Sequence, residues 1–103
     1  METLEEQFHK AMIAVYERAR DECGYNATRF LQMVMDLGGL EAAKRLLDSD
    51  KVSSGLTKLW ELGRLDISME ALVIDPKWQG LFTEEEVATA RQRLEDCRYF
   101  ESK

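Results

Sequence analysis

Apolar residues recur at steps of three and four along almost the whole chain, which is the spacing of one face of an α-helix. Short breaks rich in Gly, Ser or Asp-Pro interrupt this pattern. Gly tolerates the left-handed conformation that ends many helices, and Pro cannot continue a helix. The pattern therefore predicts an all-α fold of five to six short helices, with breaks at Gly24, Gly38–Gly39, 53–55, Gly63 and Asp75–Pro76.

The first and last helices have the clearest starts. Thr3 with Glu6, and Thr83 with Glu86, have the spacing of a capping box, in which each side chain binds a backbone N–H group of the other residue. The first helix is expected to end at Gly24. We expect these two helices to pack together through Phe8, Met12, Val15, Val87 and Leu94.

Shorter helices are expected between these two. The apolar run 71–74 is also compatible with a buried strand, but helix is preferred because no second strand is available to pair with it. Small residues in the third helix should let another helix approach closely. The predicted helices run from a cap at Asn26 or Thr28 to Gly38, from about Leu40 to Asp48, from a cap at Ser53 or Ser54 to Gly63, and from Ser68 to Ile74. A polar loop over 48–51 is expected after the second of these helices, and a turn from Asp75 through Trp78 to Gly80 after the last.

Length and composition favour one soluble domain. The 103 residues suffice for a single core, so we expect one compact domain over 1–103, with an ordered part of about 3–99. At 45% hydrophobic residues the chain is too apolar to be disordered. Glu2, Glu5 and Glu6 stand where a signal peptide needs basic residues, and the apolar runs are too short to span a bilayer. A cytoplasmic location is therefore expected.

The net charge of -6 comes from 20 acidic and 14 basic residues that are spread along the chain. Such a surface keeps a small protein soluble. It also suits an acidic face that meets a basic partner or mimics nucleic acid. General affinity for DNA is disfavoured, because binding to the phosphate backbone needs clustered Lys and Arg.

Residues with catalytic chemistry are few and scattered. Cys23 and Cys97 lack CxxC spacing, so quiet reduced thiols are expected, and one long-range disulfide stays open. His9 has too few ligands around it for a metal site and is expected to be exposed and solvated. Gly38 and Gly39 lack the spacing and the preceding strand of a phosphate-binding loop. We therefore predict a protein that is not an enzyme and holds no metal or cofactor.

The connector over 59–66 combines a large aromatic residue, a helix stop and an Arg–Asp pair. In the structural interpretation, Trp60 is mostly buried as a core anchor, and Arg64 binds carbonyl groups at the helix end. In the functional interpretation, Trp60, Arg64 and Asp66 form an interface, because Trp and Arg are enriched in binding hot spots. Trp78, beside the Pro76 turn, is a second aromatic candidate for partner binding.

The predicted second and third helices, joined by the glycine pair, have the arrangement of a helix-turn-helix. Arg29 would lie on the first helix of this pair, and Lys44 and Arg45 on the second. Glu41 precedes Arg45 at the spacing that favours an ion pair within one helix. These three basic residues are the candidates for DNA binding, on analogy of fold alone.

Three segments carry a resemblance to a family. YNATRFLQM (25–33), GGL (38–40) and LWELGRLD (59–66) resemble a family of small uncharacterised bacterial proteins, over Phe8 to about Tyr99. The resemblance implies a bacterial or phage source and a self-contained helical domain. It carries over no activity and no catalytic or binding residue.

The leading hypothesis is a non-catalytic bacterial protein-interaction module, an accessory or regulatory subunit with an acidic surface. The alternatives are a helix-turn-helix-like DNA-binding protein and an acidic nucleic-acid mimic that inhibits a DNA- or RNA-binding enzyme. The sequence predicts a protein partner without identifying it, and it is compatible with a homo-oligomer.

Overall fold

The observed helices begin and end close to the predicted breaks. A computed structural model describes residues 2–48 and 54–97. These residues form helices and no strand, which confirms the all-α prediction for this part of the chain. Six α-helices are joined by short turns and two 3₁₀ segments. They are α1 (Leu4–Cys23), α2 (Thr28–Leu37), α3 (Gly39–Asp48), α4 (Ser54–Glu61), α5 (Met69–Val73) and α6 (Glu84–Asp96), with 3₁₀ segments at Leu65–Ile67 and Pro76–Leu81.

Both predicted capping boxes are present. The Thr3 hydroxyl accepts from the Glu6 N–H at 3.1 Å, and the Thr3 N–H donates to the Glu6 carboxylate at 2.8 Å. Thr83 and Glu86 repeat the arrangement at 3.1 and 2.9 Å. Gly24 ends α1 in the predicted left-handed conformation, with φ of 67°. The boundaries of the first helix and the start of the last are therefore set by local chemistry.

The predicted cap of α2 is wrong. The helix starts after Ala27 without a side-chain cap, and Thr28 is already its first residue. Asn26 instead accepts a hydrogen bond of 2.6 Å from the hydroxyl of Tyr16 on α1. A buried tyrosine needs a partner for its O–H group, and this need overrides the local capping preference. The predicted loop at 49–51 and the cap at Ser53 lie outside the described residues.

Two apolar clusters form the interior. The first, here called the aromatic cluster, centres on Phe8, whose ring meets the rings of Trp78 and Phe82 edge-to-face at 5.3 and 5.2 Å. The second, here called the α4 cluster, joins α4 to the first 3₁₀ segment, α1 and α6. Its buried members are Ala19, Leu56, Leu59, Leu65, Ile67 and Leu94.

The predicted direct packing of α1 on α6 is wrong in its main part. Helix α1 packs chiefly against α3 and α2, whereas α6 packs against α5 and α3. The cause is the small face of α3, which lets α1 come very close. A Cβ atom added at Gly39 would lie 2.6 Å from the Cα of His9. The predicted close approach to the third helix is thus confirmed. The five residues predicted to join α1 and α6 meet only as members of shared clusters, Phe8 and Met12 with Val87, and Val15 with Leu94.

Candidate binding surfaces

The two tryptophans occupy opposite environments. Trp60 is 54% exposed, so the prediction that it is mostly buried is wrong. Leu56 and Leu59 fill the inner face of α4, and one further residue turns Trp60 about 100° away from Leu59. Leu62, just past the helix, is 40% exposed. Trp60 and Leu62, here called the α4 patch, place two large apolar side chains in solvent.

Trp78 is only 4% exposed and belongs to the aromatic cluster. Its ring packs on Phe8, and the ammonium group of Lys77 lies 4.7 Å from its centre. Its indole Nε1 is buried and has no hydrogen-bond partner among the described residues. Trp78 is therefore a core residue, which corrects its place among the interface candidates.

Arg64 lies in a network of four charged side chains. Its guanidinium binds Asp66 at 3.1 Å and Glu22, on α1, at 2.7 Å. Arg18 completes the network, here called the surface ion network, through Glu22 at 3.0 Å and Asp66 at 3.7 Å. The predicted Arg64–Asp66 pair is confirmed. The contact with Glu22 was missed because it joins residues 42 positions apart.

The network changes the proton affinity of its carboxylates. Hydrogen bonds from Arg18 and then Arg64 lower the pKa of Glu22. The hydrogen bond from Arg64 lowers the pKa of Asp66 in the same way. The pKa of Arg64 is raised by Asp66 and then Glu22. All three groups therefore hold their charges more firmly than isolated side chains do.

The end of α4 is closed by backbone groups. The N–H of Gly63 binds the carbonyl of Trp60 at 3.0 Å, and the N–H of Arg64 binds that of Leu59 at 2.8 Å. Gly63 has φ of 73°. This is the Schellman arrangement, which satisfies the last carbonyl groups without a side chain. The prediction that the Arg64 side chain caps these carbonyl groups is therefore wrong.

A buried ion pair joins α5 to α6. Arg93 binds Glu70 at 3.2 Å, and the residues are only 6% and 2% exposed. Arg93 also donates to the carbonyl of Leu47 at 3.4 Å. Burial raises the pKa of Glu70, while its own backbone N–H and Arg93 oppose that rise.

Sequence reasoning missed this pair because it assigned Glu70 to the helix dipole alone. The signals were present in the chain. Glu70 is the one charged residue in the run 67–74, and Arg93 lies between the inner-face residues Ala90 and Leu94. A charge on an inward face calls for a charged partner elsewhere.

A cavity of about 460 Å³ opens between α1, α2, α4 and α5. The exposed residues on its rim belong to the start of α2, whereas its floor is made by buried residues of α1, α4 and α5. Its wall is mainly apolar and aromatic, with a few polar groups at the rim and the floor. The lining residues are Val15, Tyr16, Ala19, Tyr25, Asn26, Ala27, Thr28, Arg29, Phe30, Met33, Leu46, Leu56, Leu59, Ser68, Met69 and Glu70.

The three candidate DNA-binding residues do not share an open basic face. Lys44 binds Glu86 on α6 at 2.7 Å, and Arg45 binds Glu41 at 3.3 Å, as predicted. Arg29 lies on another helix, at the rim of the cavity. Two of the three charges are thus balanced by carboxylates, which disfavours their use on a phosphate backbone.

The remaining chemical candidates lie in structural settings. His9 is half-buried and accepts a 2.8 Å hydrogen bond from the N–H of Gly39, so the prediction of a solvated side chain is wrong. Cys23 and Cys97 are free, half-buried thiols that pack on the α4 cluster, and burial raises the pKa of Cys97. Residues 2–48 and 54–97 contain no group of three or more His, Cys, Asp or Glu side chains arranged to hold a metal ion. Within the same residues, every helix is too short or too polar to cross a membrane.

Comparisons with protein-family models, with curated proteins and with solved structures find no match for this chain. Evidence for a function therefore comes from the geometry of the described residues. Two features stand out in that geometry: the exposed α4 patch and the cavity.

Proposed function

We propose that this protein is a non-catalytic interaction module that binds a protein partner through the α4 patch. The observation that carries the proposal is the 54% exposure of Trp60. An exposed tryptophan offers a large, stiff apolar surface, and Trp is enriched in the residues that dominate binding energy. Leu62, two residues further on, is a second exposed apolar side chain at this end of α4.

The backbone below the patch is fixed. The Schellman arrangement at Gly63 closes the helix, and the surface ion network ties the following connector to α1. A preorganised contact residue loses less conformational entropy on binding than one on a mobile loop. In this interpretation Arg64 positions the patch and is not itself the main contact residue.

The surrounding charges suit a basic partner. Glu61 follows Trp60 in the chain and is exposed, and the chain carries a net charge of -6. A partner with Lys or Arg around an apolar contact would gain association rate from this field. An accessory or regulatory subunit fits these features, and the resemblance seen in the sequence makes a bacterial or phage source the expected one.

The proposal is tested on a purified complex. A partner recovered from the native host at low and moderate salt is identified, purified and titrated against wild type, Trp60→Ala and Met35→Ala. Met35 is the matched control, because it is 62% exposed on α2 and lies away from the patch in sequence. We expect Trp60→Ala to weaken binding by at least about tenfold, in line with a hot spot, and Met35→Ala to leave it unchanged. Recovery of no protein at either salt, or equal affinity of Trp60→Ala and wild type, would overturn the proposal.

The identity of the partner separates two roles. An acidic nucleic-acid mimic should capture a DNA- or RNA-binding enzyme and compete with its nucleic acid. An accessory subunit should bind without such competition. Direct DNA binding has less support, since Lys44 and Arg45 are already paired with carboxylates.

A further inference from the structure

We infer that the cavity between α1, α2, α4 and α5 is a binding site for a small, uncharged, mostly apolar molecule with one hydrogen-bond donor. Its volume of about 460 Å³ falls within the range of about 300–1000 Å³ that is typical of small-molecule sites. The inference is independent of the α4 patch, because neither Trp60 nor Leu62 is among the described residues that line the cavity.

The apolar residues that line the cavity favour a ligand that is mostly apolar. Tyr16 and Tyr25 line the cavity from α1 and the segment after it, and Phe30 and Met33 line it from α2. Burial of an apolar body against such side chains supplies most of the affinity in sites of this size. Methionine adapts its shape to different ligands, so Met33 makes the site tolerant of flat or branched bodies.

Glu70 favours a ligand with a hydrogen-bond donor, because its carboxylate is a hydrogen-bond acceptor. Glu70 lines the floor, is 2% exposed, and accepts a hydrogen bond from Arg93 through one carboxylate oxygen. Carboxylate oxygens carry several acceptor positions, so a donor on the ligand can bind there as well. Arg93 already balances the charge of Glu70, and a charged ligand would bring an uncompensated charge against a buried, mainly apolar floor. A neutral N–H or O–H group is therefore the best match.

The rim gives the direction of entry. Asn26, Thr28 and Arg29 are the exposed lining residues, and they lie in the first turn of α2 or just before it. The Tyr16–Asn26 hydrogen bond holds one side of this rim. A ligand therefore enters beside the first turn of α2 with its donor directed towards α5.

The test uses N-phenyl-1-naphthylamine, a neutral aromatic probe with one N–H donor whose fluorescence rises in apolar surroundings. The wild-type protein should bind it with one-to-one saturation. Ala27→Phe adds a ring at the cavity wall and should weaken binding at least tenfold. Ala88→Phe makes the same change at an exposed position of α6 that is not part of the wall and should bind like wild type. Circular dichroism establishes that both variants are folded.

A second probe tests the role of Glu70 without changing the protein. 1-Phenoxynaphthalene has nearly the same shape but an ether oxygen in place of the N–H group. We expect it to bind several-fold more weakly than the amine. Equal affinity for the two probes would overturn the assignment of the donor. A folded wild-type protein without saturable binding, or an Ala27→Phe variant that binds as tightly as wild type, would overturn the site itself.

Discussion

The aromatic cluster and the α4 end use the same residue type in opposite ways. At the aromatic cluster, Trp78 is enclosed between helices and meets Phe8 edge-to-face. At the end of α4, Trp60 faces solvent. The sequence left Trp60 open between a core anchor and a contact residue, and it made Trp78 a second candidate contact residue. The difference teaches that the direction in which a short helix presents a side chain outweighs the apolar character of that side chain.

The two regions also differ in the interactions that stabilise them. The aromatic cluster is close-packed, and α1 approaches α3 so nearly that only Gly fits at position 39. The connector after α4 is fixed to α1 by the surface ion network, and a cavity lies beneath α4. Exposed ion pairs stabilise much less than buried aromatic side chains. We therefore expect substitutions to have large effects on stability in the first region and small ones in the second.

The largest contrast should come from the two tryptophans themselves. Trp78→Ala removes a buried ring and should lower the free energy of unfolding by about 3–5 kcal/mol. Trp60→Ala removes an exposed ring and should change it by less than about 0.5 kcal/mol. Denaturant unfolding of the two variants, followed by circular dichroism, measures both values. Similar losses for the two variants would contradict the assignment of the aromatic cluster as the more tightly packed region.

A smaller effect should come from one methyl group at the α1–α3 contact. Gly39→Ala places a Cβ 2.6 Å from the Cα of His9, and a backbone atom cannot move aside like the end of a side chain. Overpacking of this kind costs about 1–3 kcal/mol. It should outweigh the gain of about 1 kcal/mol that Ala brings to a helix.

Gly80→Ala is the matched control for this substitution. A Cβ atom added at Gly80 would meet open space, and Gly80 has no positive φ, so its replacement by Ala should be nearly neutral. Thermal melts of the two variants provide the comparison. A Gly39→Ala variant as stable as Gly80→Ala would show that α1 and α3 can separate without cost.

The fold was predictable from the sequence where short-range chemistry decides it. The capping boxes at Thr3 and Thr83, and the stops at Gly24 and Gly63, depend on residues within one turn of each other. The α2 cap failed because Asn26 has a better partner ten residues away, the hydroxyl of Tyr16. Helix boundaries could thus be predicted from the sequence, except where tertiary contacts compete with local ones.

The candidate sites were less predictable because they depend on how helices are placed relative to one another. Asp66 could be paired with Arg64 from the sequence, but the contact of Arg64 with Glu22 requires the position of α1. Glu70 and Arg93 are 23 residues apart, and neither shows its partner in the local pattern. The cavity leaves no sequence signal, since its apolar wall has the same periodicity as a filled core.

The smallest expected effect on stability concerns Arg64, whose ion pairs hold the connector after α4 where close packing is absent. Arg64→Ala removes the ion pair with Asp66 inside the connector and the ion pair with Glu22 on α1. The melting temperature of the variant should therefore fall modestly at low salt. Arg45→Ala is the matched control, because it removes a single exposed pair within one helix and should have a smaller effect. Added salt should shrink the difference between the two variants, since exposed charges are screened.

The stability of the protein at acidic pH should depend on the same surface ion network. The pKa values of Glu22 and Asp66 are lowered by their arginine partners in the folded state. Their stabilisation is therefore complete above the ordinary carboxyl range and is lost as the pH falls through the lowered values. Arg64→Ala should weaken this acid dependence relative to wild type, because one of the cations that lower both pKa values is gone. An Arg64→Ala variant with wild-type melting temperature and acid sensitivity would remove Arg64 from the scaffold. It would place Arg64 with Trp60 among the residues that contact the partner.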